Sequence, residues 1–275
     1  MENSTHNQET LDFLIYSYFG IVPKEIFDER NDDNNPKFAA IENDCYWDYC
    51  IRMAIMKAYD DATGEGAYNT LFQAKKYGVE NIEKLKNGSA YAKRNAANLI
   101  FCCVKRIKEY SDYDSWHESL CNSLVHEYSD VCISESEPFF TYGNAQKWVN
   151  MTMKYLWLLK VLPDGVEQNN LHIPIDSYII DALWNTHKDI PLPINDKAKR
   201  EKTYVQPSSH VTSWSTWGEP DENDGNKPGP YKLLHTSLVD KKIDIAWENK
   251  TWIRQAEIRK KSVKKNKFFD FFGKD

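Results

Sequence analysis

The chain has 275 residues, 41% of them apolar and 28% charged. It is long enough to bury a sizeable core, and this composition excludes a collagen, a coiled-coil rod or a wholly disordered chain. Its net charge of −6, taken alone, argues against a nucleic-acid partner, and 11 Gly with 11 Pro are too few for a turn-rich all-β sandwich to lead.

Residues 1–10 read as disordered, followed by a helix over 11–19 that ends at Gly20 and Pro23. The apolar run from Leu11 to Val22 contains Asp12 and is too short to span a bilayer. The first ten residues lack the basic stretch of a signal peptide, so a soluble, cytoplasmic protein is expected. A loop falls at 31–36. Helical spacing of Tyr46, Tyr49, Cys50, Met53 and Met56 predicts a helix over 46–61 that stops at 63–66. Further helices are expected at 68–77, 79–86, 90–110 and 115–129, the last capped by Asp114 or Ser115. Pro138 and Gly143 bracket a turn. The segment 144–161 is apolar on most faces, which marks a central buried helix ended at Asp164-Gly165. Residues 172–176 lead into a helix over 177–187, 188–230 form long loops, and 231–259 are helical again, in one or two pieces.

The fold expected is therefore all-α, with a first helical lobe over 1–135 and a second over 136–275 about a central cleft. Residues 1–140 hold 14 Lys/Arg against 24 Asp/Glu, and residues 141–275 hold 21 against 17. The last 26, from Lys250, hold nine basic side chains against three acidic, so a polyanion is expected on the back half. The six cysteines form no CxxC pair and no tetrad of zinc or iron–sulfur spacing. They read as reduced core residues, and no metal or other cofactor is expected.

Two segments carry chemistry: Tyr142-Gly143-Asn144-Ala145-Gln146-Lys147 before the central helix, and His172-Ile173-Pro174-Ile175-Asp176 before the next. Gly143 permits a tight turn, and the free amides of a first helical turn bind phosphate. Lys147 sits on an otherwise apolar helix, where burial favours the neutral amine that Schiff-base chemistry needs. Pro174 stiffens its loop, and Asp176 stands at a helix start, where a carboxylate is stabilised. A helix that runs out and a loop that returns bring Lys147 and Asp176 face to face. The plain alternatives are a surface lysine and a simple helix cap. Lys154, about two turns beyond Lys147, is the reserve nucleophile.

These residues resemble the helix-hairpin-helix DNA glycosylases, in particular the archaeal-type branch of the 8-oxoguanine DNA glycosylases. The resemblance covers roughly 40 residues. It implies that Lys147 attacks C1′ of the sugar and that Asp176 activates the lysine or stabilises positive charge on the sugar. It also implies that Tyr142, Gly143, Asn144, Gln146 and His172 contact DNA. Only one glycine, Gly143, stands where the family's hairpin has two, and the family's four-cysteine cluster is absent. The implied activity is excision of a modified base, such as oxidised guanine or a hypermodified viral base, with strand nicking by an accompanying lyase step. The role is repair or antiviral defence, and the partner is double-stranded DNA met by a monomer. Trp214 and Trp217, on a polar loop, and Trp47 are candidates for the base pocket, while Trp148, Trp157 and Trp184 belong to the core. The alternative is a non-catalytic nucleic-acid-binding module or a helical interaction protein with the same fold.

Overall fold

A computed structural model describes residues 2–30, 45–63, 82–134, 137–187, 189–192, 217 and 229–272. The helices expected at 68–77 and in the first part of 79–86, the loop at 31–36, Trp214 and most of 188–230 lie outside the described residues. The described fold is all-α apart from one short antiparallel ribbon, β1 (Cys132–Ser134) with β2 (Glu137–Pro138), in which Cys132 faces Pro138. Among the described residues, no helix is long and apolar enough to cross a membrane.

The chain divides into two compact units: Met1–Phe139 with Met151–Val166, and Phe140–Asn150 with Glu167–Asp275. The division expected at 135/136 thus differs in two respects: the first unit continues to Phe139, and the segment Met151–Val166 packs with it.

In the first unit, α1 (Glu2–Phe19) begins well before the expected residue 11, so the first ten residues are not wholly disordered. Gly20 ends it at a φ of 71°, a left-handed conformation that glycine adopts without steric cost. The short α2 (Lys24–Arg30) follows. The helix α3 (Tyr46–Thr63) buries Ile51, Ala54, Ile55 and Ala58. Expected segments 79–86 and 90–110 join in a single helix, α4 (Ile82–Lys105), whose buried side is the four-residue repeat Ala92, Ala96, Ile100, Val104. The helix α5 (Tyr113–Glu127) is capped by Asp112, which accepts the Ser115 amide at 2.7 Å. The cap thus lies two or three residues before the expected Asp114 or Ser115. Trp116 of α5 donates its indole N–H to the Cys103 carbonyl at 3.1 Å and pins α5 to α4.

The helix α6 (Tyr142–Leu158) contributes to both units. Its end in the first unit places Tyr155 edge-on to Phe19, with ring centroids 4.8 Å apart, and its phenol donates to Asp61. Burial, then the Asp61 carboxylate, drives the Tyr155 hydroxyl well above the usual phenol range.

The second unit holds α7 (Ser177–Thr186), α8 (Pro230–Asp240) and α9 (Ile245–Phe272). Ile173, Ile175, Ile179, Leu183, Leu234 and Leu238 centre its core. On α9, Ile245, Glu248, Trp252, Ala256 and Arg259 recur at spacings of three and four, which is the face laid against α7. The cysteines are all free, and Cys45, Cys102 and Cys132 are exposed, so only part of the set belongs to the core.

Candidate functional site

The segment preceding α6 folds as a capping box. Thr141 Oγ1 accepts the Asn144 amide at 3.3 Å, and Asn144 Oδ1 accepts the Thr141 amide at 3.1 Å. The next amide, of Ala145, binds the Thr141 carbonyl at 3.0 Å. Gly143 lies inside the helix and donates its amide to the Trp217 carbonyl at 2.9 Å. Three of the amides expected to face a phosphate are therefore already used by the chain itself. Gly143, Asn144 and Gln146 are buried, and Tyr142 is half-buried, its ring centroid 5.9 Å from that of Tyr231. The expected phosphate cradle is a closed cap, because Thr141 and Trp217 supply the acceptors that an anion would supply.

Behind this cap a polar string runs through the second unit. Gln146 donates to the Gly143 carbonyl at 2.9 Å and accepts from Asn150 at 3.0 Å. The Asn150 amide also reaches the Ile173 carbonyl at 3.1 Å and the Tyr231 hydroxyl at 2.9 Å. That hydroxyl lies 3.0 Å from His172 Nδ1, and the His172 ring stacks on His235 with centroids 3.5 Å apart. Burial, helped by the neighbouring His235, holds His172 well below the ordinary imidazole range. It is therefore neutral at physiological pH and brings no positive charge to a phosphate.

Lys147 and Asp176 do meet. Lys147 Nζ lies 3.5 Å from Asp176 Oδ2 although the residues are 29 apart in sequence. Both side chains are buried, at 9% and 13% exposure. Asp176 is the N-cap of α7: Oδ1 accepts the amides of Tyr178 at 2.9 Å and Ile179 at 3.1 Å. Oδ2, the oxygen facing the lysine, also accepts the indole N–H of Trp252 at 3.1 Å. Trp252 packs against Tyr178, with ring centroids 5.0 Å apart. One turn beyond Ala256, Arg259 lies over the Tyr178 ring at 3.9 Å and bonds the Ser177 hydroxyl, the Ser177 carbonyl and the Asp181 carboxylate. The amine and carboxylate thus sit at the start of α7, where the Trp252 indole of α9 bonds the carboxylate and the Arg259 guanidinium bonds the residues that follow it.

Trp252, Arg259, Asn150, Tyr231 and His235 escaped the sequence reading. The i, i+7 spacing of Trp252 and Arg259 is the available signal, since it sets both on one side of α9, the side from which they reach Asp176 and Asp181. Of the proposed base-pocket residues, Trp217 is 1% exposed within the core of the second unit, so it is a core residue. Trp47 is half-buried in the first unit and donates its indole N–H to the Val161 carbonyl at 3.1 Å. Lys154 is also buried and belongs to the part of α6 in the first unit. No protein-family model, no curated protein and no solved structure matches the chain.

Proposed function

We propose that the protein is a DNA glycosylase that excises a modified base and then nicks the strand, with Lys147 as nucleophile and Asp176 as its carboxylate partner. The observation that carries this reading is the 3.5 Å approach of the amine to the carboxylate in a buried setting. Flipping the damaged nucleotide out of the stack costs a few kcal/mol. Asp176 Oδ2 takes a proton from the lysine, and the freed amine attacks C1′ as the bond to the base breaks. The base leaves with the electron pair of that bond and takes up the proton that Asp176 received. Charge on the sugar resembles an oxocarbenium ion, which an adjacent carboxylate stabilises. The C1′ adduct opens to an imine, and loss of the 2′ proton expels the 3′ phosphate. Trp252 fixes the orientation of the carboxylate by occupying the same oxygen.

A second reading is a nucleic-acid-binding module without chemistry, in which the pair is structural. The closed cap before α6 and the two amides plus indole already bound by Asp176 favour it. Borohydride trapping on duplexes carrying different modified bases decides between them. The glycosylase reading expects a covalent adduct that disappears in Lys147→Gln and persists in Lys154→Gln. Absence of an adduct and of free base across the panel, with duplex binding intact, establishes the module instead.

A further inference from the structure

The acidic half of the chain contains one strongly basic stretch. Residues 84–108 carry seven Lys/Arg and no Asp/Glu. Most of this stretch is α4, and its outward side carries Arg94, Asn98, Phe101 and Lys105 at spacings of three and four. Lys93 lies at the edge next to α3, its ammonium 3.9 Å from the Tyr59 ring centroid. Arg52 of α3 stacks over Phe101 at 4.1 Å. Lys105 stands 5.2 Å from the same ring and pairs with Asp48 at 2.8 Å. Aromatic faces thus hold three cations of the α3–α4 surface in place, and the outward side of α4 runs about 16 Å along the helix from Arg94 to Lys105.

We infer that this face of α3 and α4 is a binding surface for the phosphate backbone of DNA. A duplex carries about one charge per 1.7 Å of axis, so cations spread over that length meet several phosphates at once. Asn98 supplies a polar side chain of the kind that bonds phosphate oxygens, and residues 84–108 carry no carboxylate; on α3, Asp48 is paired with Lys105, and Asp60 and Asp61 stand near the C-terminal end of the helix. The face lacks the continuous apolar strip that membrane insertion requires. The choice of duplex DNA over another polyanion rests on the proposed glycosylase function, whereas the surface itself does not involve Lys147 or Asp176. It also places the phosphate contact in the front half, where the summed charge pointed away from it.

The test is binding of the full chain to a fluorescently labelled undamaged 20-base-pair duplex, followed by anisotropy across a salt series. The variant combines Arg52→Gln, Lys93→Gln and Arg94→Gln. It leaves Lys105 in place so that Asp48 keeps its partner. Loss of three phosphate contacts lowers the slope of log K against log salt by about 2.7 and weakens binding at least tenfold near 0.1 M salt. Circular dichroism and thermal unfolding check the fold, and Arg94→Gln alone, with a slope change of about 0.9, serves if the triple variant does not fold. Equal slopes in wild type and variant overturn the inference, as does preference for polyglutamate over the duplex or failure of the wild type to bind DNA. Trapping on the wild type, read beside the salt slope of the triple variant, separates the two proposals. A wild type that traps no adduct, but whose salt slope falls in the triple variant, sinks the glycosylase reading and leaves this surface standing. Trapping with an unchanged slope does the reverse.

Discussion

Asp176 joins a helix cap to a buried ion pair through one carboxylate. Asp176→Ala removes the acceptor for two amides, worth about 1 kcal/mol. It also leaves the Lys147 ammonium buried without its counter-ion, which costs about 3–5 kcal/mol. Urea denaturation is expected to show a loss of at least 3 kcal/mol for Asp176→Ala and a smaller loss for Asp176→Asn, which keeps the capping oxygen. His172 gives a prediction in pH. Its folded-state value is depressed, so below about 6.5 the unfolded chain takes up a proton that the folded chain refuses. Stability contributed by the neutral ring is complete above that pH and declines as the pH falls below it, by up to about 1.4 kcal/mol per unit. Thermal unfolding between pH 7.5 and 5.5 should therefore fall more steeply in the wild type than in His172→Gln. Asp176 was legible because a proline loop before an apolar run marks a helix start. His172 was misread because its hydrogen-bond partner Tyr231 is 59 residues away, and nothing local announces that contact.

At the scale of elements, α7 and α9 are held together by charge as well as by apolar packing. Arg259 Nη2 lies 2.5 Å from Asp181, whose side chain is only 8% exposed. Arg259→Ala strips that carboxylate of its guanidinium and should cost about 3 kcal/mol in unfolding free energy, while Arg259→Lys retains the charge but loses the bonds to Ser177. The helices themselves were readable from apolar spacing, and α3, α5, α7 and the central α6 fall within a few residues of expectation. Their ends were less readable. The first turn of α6 satisfies its donors with Thr141 and with a carbonyl 74 positions further on, which no local pattern contains. For the same reason Trp217, set among polar residues, resembles a stacking platform and is in fact core. Trp217→Ala should cost about 3–5 kcal/mol, and its fluorescence should resist acrylamide in the folded chain.

For the whole molecule, the period of apolar residues was enough to give an all-α fold. The sharing of α6 was not legible, because a helix apolar on several faces does not say which face packs with which part of the chain. One consequence is measurable. A fragment ending at Phe139 lacks Met153, Tyr155 and Leu156, all buried in the complete protein. It should show weak helical signal and no cooperative melting, whereas one continuing to Val166 should recover both. Cysteine chemistry offers a second check. Burial pushes the Cys50 thiol up to about 11, so iodoacetamide at pH 7.5 should label Cys45, Cys102 and Cys132 and spare Cys50 and Cys121 until the chain is unfolded.

The bond between Gly143 and the Trp217 carbonyl is made by backbone atoms on both sides, so it does not depend on which side chain stands at 217. The indole contributes apolar burial instead. A smaller ring at 217 therefore keeps the acceptor that the start of α6 uses, whereas Gly143→Pro removes the donor and leaves that carbonyl unmatched, a loss of about 1–3 kcal/mol.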